Sequence, residues 1–220
     1  MGYVLIPVCF LIAALFVYVA EQRHYVAALI LKGLASLTFV LIGILSGVPG
    51  KQAAFIVAGL ALGAVADVLL DLHNAVGHRE ICFSSGVFVF FLGHIAYFIA
   101  VLPKADQWLP CIIITLFAAG LLILFIMKQI TAPPFLLVGG CIYVTMLVLV
   151  NVSAVLRFIA GPSLSSGMFM TGALFFLTSD TILILEGFGK KGSRLSGRIA
   201  LIVFYYAAQV LIALSIYPMK

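Results

Sequence analysis

Charge is what this chain has least of. Lys and Arg number 12 and Asp and Glu 7 among 220 residues, so 9% are charged against 65% hydrophobic, and mean hydropathy is +1.31. A water-soluble domain carries roughly a quarter charged residues, which excludes that class. Long polar linkers are missing too, so one bundle is expected rather than separate domains. The apolar runs are continuous, without the period-two alternation of a transmembrane barrel. Cysteine is sparse: Cys9, Cys82, Cys111 and Cys141 lie in four different apolar runs with no Cys-x-x-Cys spacing, and read as small packing residues. No apolar run carries two His at helical spacing. His73 and His78 fall in a polar break at a spacing that does not share a helix face. No metal site and no cofactor are therefore expected.

What remains is a succession of apolar stretches of about 20 residues, the length that crosses a bilayer as a helix. Cutting at charged, Pro- and Gly-bearing breaks predicts eight spans, 3–20, 25–46, 52–72, 81–102, 107–127, 134–156, 164–186 and 198–217. The fold class is an all-α integral membrane protein, a bundle of eight transmembrane helices in a single domain over 1–220. The first run lacks a basic start, and Tyr18-Val19-Ala20-Glu21 is a poor cleavage site, so it reads as a retained helix. Arg23, Arg79, Lys128, Lys190, Lys191, Arg194 and Arg198 fall at the odd-numbered loops. Lys51, Lys104, Arg157 and Lys220 fall at the opposite end. That excess predicts odd loops in the cytoplasm and both termini outside. Short loops point to a bacterial inner membrane. The net charge of +5 needs only anionic lipid headgroups as partner, not nucleic acid.

Two acidic residues, Asp67 and Asp180, stand well inside apolar spans, where a carboxylate costs about 3 kcal/mol or more. At 1.5 Å per residue, Lys32 lies roughly 10 Å and Asp67 roughly 8 Å from the odd-loop edge. Asp180, Tyr143, Tyr205, Tyr206 and Gln209 lie in the same half, and His94 near the middle. A common depth on several helices predicts an interior polar pocket open toward the cytoplasmic leaflet. Lys32 reads either as an ion-pair partner of Asp67 or Asp180 or as a binding group. His94 reads either as a helix–helix hydrogen bonder or as part of the site. Asp71, one turn after Asp67 at the membrane edge, is expected to be a solvated end residue. Of adjacent Tyr205 and Tyr206, only one is expected to face inward. Glu21, Glu80, Asp106 and Glu186 read as interfacial charges.

Four segments are similar to those of the lysoplasmalogenase family of multi-span membrane hydrolases. They are Leu29-Ile30-Leu31-Lys32-Gly33; Leu62 to Leu70 around Asp67, continuing through Gly86, Phe90 and Gly93-His94-Ile95-Ala96-Tyr97; Gly172 to Leu183, with Ser179-Asp180; and Tyr205-Tyr206-Ala207-Ala208-Gln209. Gly33 and Ala66 stand where the family usually has Pro and Gly, and neither exchange removes an ionisable group. The resemblance implies hydrolysis of the alkenyl ether bond of a lysophospholipid to a fatty aldehyde and a glycerophospho-alcohol. It implies no metal and no cofactor.

A vinyl ether must be protonated at its β-carbon, which leaves an oxocarbenium cation that water then captures. One carboxylic acid and one nearby anion suit that sequence of events. Asp67 and Asp180 are the predicted catalytic pair, with Asp180 favoured as the acid because Lys32 can hold Asp67 as the anion. Lys32, His94, Tyr97, Tyr143, Ser179, Tyr206 and Gln209 are the predicted substrate-binding or orienting residues. Arg23 and Arg79 are predicted near the phosphate. The rival reading is a proton-coupled transporter that uses the same Asp and Lys residues. Against it, the prolines cluster at span edges, with Pro7 the exception, rather than breaking helices at mid-membrane. The Gly-x-Gly-Asp element of intramembrane aspartyl proteases is missing before Asp67. A faint echo between Gly63-Ala64…Asp67 and Gly172-Ala173…Asp180, four spans apart, suggests a duplicated four-helix unit.

Overall fold

The spans fold as helices, several of which meet where a glycine leaves room for a neighbouring helix's side chain or backbone. The structure is a computed structural model and describes residues 2–76, 80–190 and 192–219. Eight helices among the described residues are long and apolar enough to cross a membrane. They are α1 (Leu5–Glu21), α2 (Tyr25–Leu45), α3 (Lys51–Ala75), α4 (Glu80–Ala100), α5 (Trp108–Gln129), α6 (Pro134–Ala160), α7 (Leu164–Phe188) and α8 (Leu195–Leu214). Single 3₁₀ turns lie at Gly2–Val4, Ala105–Gln107 and Tyr217–Met219. His78, Arg79, Lys191 and Lys220 lie outside the described residues.

Helices α3, α6 and α7 run past the apolar edges expected from hydropathy. Arg157 is thereby drawn into the last turn of α6, where its guanidinium donates to Gln52 Oε1 at 2.8 Å. Long polar side chains let a helix continue beyond the hydrocarbon, because their heads reach water while their stems stay apolar. The ends have local causes. Arg23 takes the left-handed conformation, φ 60°, after α1, with the amides of Arg23 and His24 closing onto Ala20 and Val19. Pro134 opens α6, where an amide proton would be unsatisfied anyway. Ser163 and Ser166 cap α7 reciprocally. Two backbone bonds, Thr131 to Phe188 and Lys190 to Gln129, tie the α5–α6 and α7–α8 loops together.

The helix contacts of α1–α4 recur in α5–α8. Consecutive helices pack within each half, and α2 against α8 is matched by α6 against α4. Without a hydrophobic force between helices in lipid, close backbone approach supplies much of the adhesion. A Cβ at Gly59 would overlap the Tyr97 ring, one at Gly63 would meet Gln209 Nε2 at 2.6 Å, and one at Gly172 would meet Ile212 Cγ1 at 2.8 Å. The main core runs from Cys9 and Phe39 through Leu60 and Tyr97 to Phe176 and Ile212. Leu11 and Leu15 on α1, and Leu116, Phe117 and Leu124 on α5, point outward as a lipid-facing belt.

Gly59→Ala is expected to cost about 1–3 kcal/mol by overpacking and to lower the melting temperature in detergent. Gly139→Ala, with nothing within 4 Å of the added methyl, is expected to leave it unchanged or slightly raised. Equal melting temperatures for the two variants would contradict this packing account.

Candidate active site

Asp67 and Asp180 occupy the same register. Each is eight residues before the end of a helix of 25 residues, α3 or α7, hence about 12 Å from its odd-loop end. Both lie deeper than the apolar spans suggested, because the polar last turns stay helical. Both are almost wholly buried, at 2% and 4% exposure.

Around Asp67 the donors come from other helices. Ser36 on α2 donates to Oδ2 at 2.5 Å, and Tyr205 on α8 donates to the same oxygen at 2.6 Å. Lys32, one turn before Ser36, places its ammonium 3.7 Å from Asp67 Oδ1 and 3.2 Å from Asp71 Oδ2. The Phe16 ring centroid lies 5.4 Å from that ammonium. One cation is thus shared by two carboxylates. Asp71 is not the solvated end residue expected of it: its i,i+4 spacing from Asp67 keeps it on the buried face, within reach of Lys32.

Around Asp180 the partners carry no fixed charge. Tyr143 on α6 donates a short hydrogen bond to Oδ2, and His94 Nε2 on α4 lies 3.2 Å from the Tyr143 oxygen and 3.8 Å from Asp180 Oδ2. Because Tyr143 spends its proton on Asp180, the contact asks His94 to donate from Nε2. His94 Nδ1 is then a bare acceptor, buried without a hydrogen-bond partner among the described residues. The two groups follow one plan. Each Asp takes a partner from the second helix of its own half, Ser36 or Tyr143. Each takes another from the fourth helix of the other half, Tyr205 or His94.

Among the described residues the carboxylates share no hydrogen-bond or ion-pair partner. What links them is a run of rings and amides. Tyr205 packs on Phe176 with centroids 5.5 Å apart, and Phe176 packs on His94 at 4.7 Å. Phe90 contacts Phe176 and Tyr205 edge-on. Gln209 donates to Tyr205 at 3.1 Å and accepts from Tyr97 at 2.7 Å, and the Tyr97 ring touches that of His94. The pocket expected to open toward the cytoplasmic leaflet is therefore closed at the carboxylates, by side chains that satisfy one another.

Tyr205 and Tyr206 both face inward, contrary to expectation. Helix α8 is enclosed by α7, α2, α1 and α3, so adjacent positions both find protein. Tyr206 lies 3.4 Å from Ser36 Oγ and donates to the Lys32 carbonyl at 3.5 Å. Ser179 stands apart from the carboxylates and donates to the Leu201 carbonyl at 3.2 Å, joining α7 to α8. Arg198, at the odd-loop end, is engaged by Glu21 at 2.7 Å. Sequence reasoning missed Ser36, whose one-turn spacing from Lys32 was the available signal, and it undervalued Asp71 and Tyr205.

Lys32→Met removes the ammonium that, among the described residues, pairs with both Asp67 and Asp71, and breaking such a buried pair costs about 3–5 kcal/mol. Asp71→Asn leaves one cation against one carboxylate. The melting temperature is expected to fall much further for Lys32→Met than for Asp71→Asn. The reverse order would mean that Lys32 does not hold this cluster together.

No curated protein and no solved structure matches the chain. A family model does, that of the YhhN family, over residues 7–216. With nearly its whole length matched, the chain belongs to the YhhN family, which is the lysoplasmalogenase family of multi-span membrane proteins.

Proposed function

We propose that this chain hydrolyses the alkenyl ether bond of lysoplasmalogens, releasing a fatty aldehyde and a glycerophospho-alcohol. The observation that carries the reading is the presence, at one register, of two buried carboxyls with different partners. Asp67 has an ammonium beside it, and Asp180 has a phenol and an imidazole. Those surroundings suit a fixed anion and a proton donor respectively.

In this scheme the Asp180 carboxyl gives its proton to the β-carbon of the vinyl ether. The double-bond electrons form the new C–H bond, and the neighbouring carbon becomes an oxocarbenium ion. The negative charge left on Asp180 and the anion at Asp67 stabilise that cation. Water then adds to the cationic carbon, with His94 Nδ1 as the acceptor that orients it and takes its proton. The resulting hemiacetal collapses, its hydroxyl proton passing to the glycerol oxygen as the carbon–oxygen bond to glycerol breaks. Aldehyde and alcohol leave, and the proton held by His94 returns to Asp180. Tyr143 aligns Asp180, and Tyr97, Gln209 and Tyr206 hold the Asp67 side. For both carboxyls to face one bond, the substrate parts the ring contacts of Tyr205 and Phe176. Lys32 and Arg23 favour a phosphate at the odd-loop edge, and the basic excess there supports a cytoplasmic opening. Arg79, assigned to the same phosphate, lies outside the described residues.

The transporter reading loses weight because α3 and α7 pass the two carboxylates as unbroken helices, whereas solutes are commonly bound at interrupted ones.

Purified protein in detergent is expected to release aldehyde from an alkenyl-lysophospholipid. Asp180→Asn and Asp67→Asn should each lower the rate by roughly 10²–10⁴-fold, the usual worth of positioned proton transfer. Tyr143→Phe should lower it by roughly tenfold, since the hydrogen bond that stabilises the charge appearing on Asp180 as its proton leaves is removed. Well-folded wild type that releases no aldehyde would overturn the hydrolase reading and leave transport as its successor.

A further inference from the structure

At the even-loop end, far from both carboxylates, lies a cavity of about 370 Å³ that neither the fold nor the proposed reaction uses. Its walls come from the start of α3, the α4–α5 loop, the end of α6 and the start of α7. Two cations converge on it, Lys104 and Arg157, along with Gln52, Gln107 and the Ser163 hydroxyl, while Ser165 donates its proton to the Ser215 carbonyl at 2.7 Å, and no Asp or Glu lines it. The cations are held by neutral acceptors. Arg157 donates to Gln52 Oε1 at 2.8 Å and Lys104 to the Ala160 carbonyl at 3.4 Å. Among the described residues neither is in an ion pair, so their charge is uncompensated. The amino end of the 25-residue helix α7 adds the positive end of its dipole on the same side.

We infer that this cavity is a phosphate-binding site. A tetrahedral anion matches a guanidinium, an ammonium and a neighbouring hydroxyl, and the cavity's volume admits a phosphate ester rather than a bare ion alone. The ligand is not the phosphate of the molecule undergoing hydrolysis. Gln52 precedes Asp67 by fifteen residues of continuous helix, hence roughly 22 Å, whereas the glycerol chain of a lysolipid separates ether from phosphorus by only about 7 Å. This second site therefore takes a different molecule, a phospholipid headgroup from the adjoining leaflet or a water-borne phosphate. By joining α3, α6, α7 and the α4–α5 loop, the bound phosphate clamps elements from both halves of the bundle.

The test is thermal unfolding of the purified full-length protein in detergent, titrated with phosphatidylglycerol, with diacylglycerol as the phosphate-free control, and with inorganic phosphate against chloride of equal ionic strength. Wild type should rise in melting temperature by a few degrees. A rise with phosphatidylglycerol alone identifies a lipid headgroup, and an equal rise with inorganic phosphate identifies a soluble ligand. Arg157→Gln combined with Lys104→Gln should abolish the rise, whereas Lys51→Gln, outside the lining, should keep it. If the double variant fails to fold, Lys104→Gln alone should weaken the apparent affinity roughly tenfold, as for a lost charged hydrogen bond. No rise with either phosphate source, a rise equal with diacylglycerol, or an undiminished rise in the cavity variants would overturn the inference.

Discussion

A carboxylate within hydrocarbon has to be surrounded by donors, and a single helix cannot supply them, because its own amides are already bonded. At Asp67 and Asp180 the donors arrive from α2, α8 and α6, and α4 brings the His94 ring to within 3.8 Å of Asp180. Those helices must come close enough for Ser36, Tyr205, Tyr143 and His94 to reach. The glycines at 59, 63 and 172 serve that end, since each lets a neighbouring helix approach to a distance that a methyl group would forbid. Fold and site are in this sense one problem, with a buried negative charge satisfied across helices.

The two halves solve it in parallel. The swapped fourth helices, α8 reaching Asp67 and α4 reaching Asp180, lock the halves together through the polar groups themselves. The sequence echo around the two Asp residues, though faint, has this structural counterpart. The two positions differ in what stands beside them, an ammonium at Asp67 and an imidazole at Asp180. Equal positions with unequal chemistry are what a reaction needing one acid and one anion requires. The phosphate cavity, by contrast, joins the halves only at the opposite membrane edge.

The fold was legible because hydropathy over about 20 residues reports the membrane directly, and the eight helices follow the apolar runs. Their ends were less so. Arg157 and His73 look like loop residues by polarity, yet a helix continues until its backbone is capped, not until its side chains become apolar. Within the site, Lys32, Asp67, Asp180 and Tyr143 were readable because charge and phenol are conspicuous in hydrocarbon. Ser36 was not, since an isolated Ser in a span usually bonds its own helix. The inward Tyr205 was missed because it depends on α8 being enclosed on more than one side. Closure of the polar layer was hidden as well. Depth along a helix says that groups share a level, not that Tyr97, Gln209 and Tyr205 satisfy one another.

The central claim is that a buried carboxylic acid protonates the β-carbon of a vinyl ether. It is tested most directly by running the hydrolysis in H₂¹⁸O and looking for the label in the released glycerophospho-alcohol by mass spectrometry. The account predicts no label there, because carbon protonation and water addition leave the bond between glycerol carbon and oxygen intact. Label in the alcohol would mean that water attacks the glycerol carbon and expels an enol, so cleavage would not begin with carbon protonation, and the roles given to Asp67 and Asp180 would fall with it.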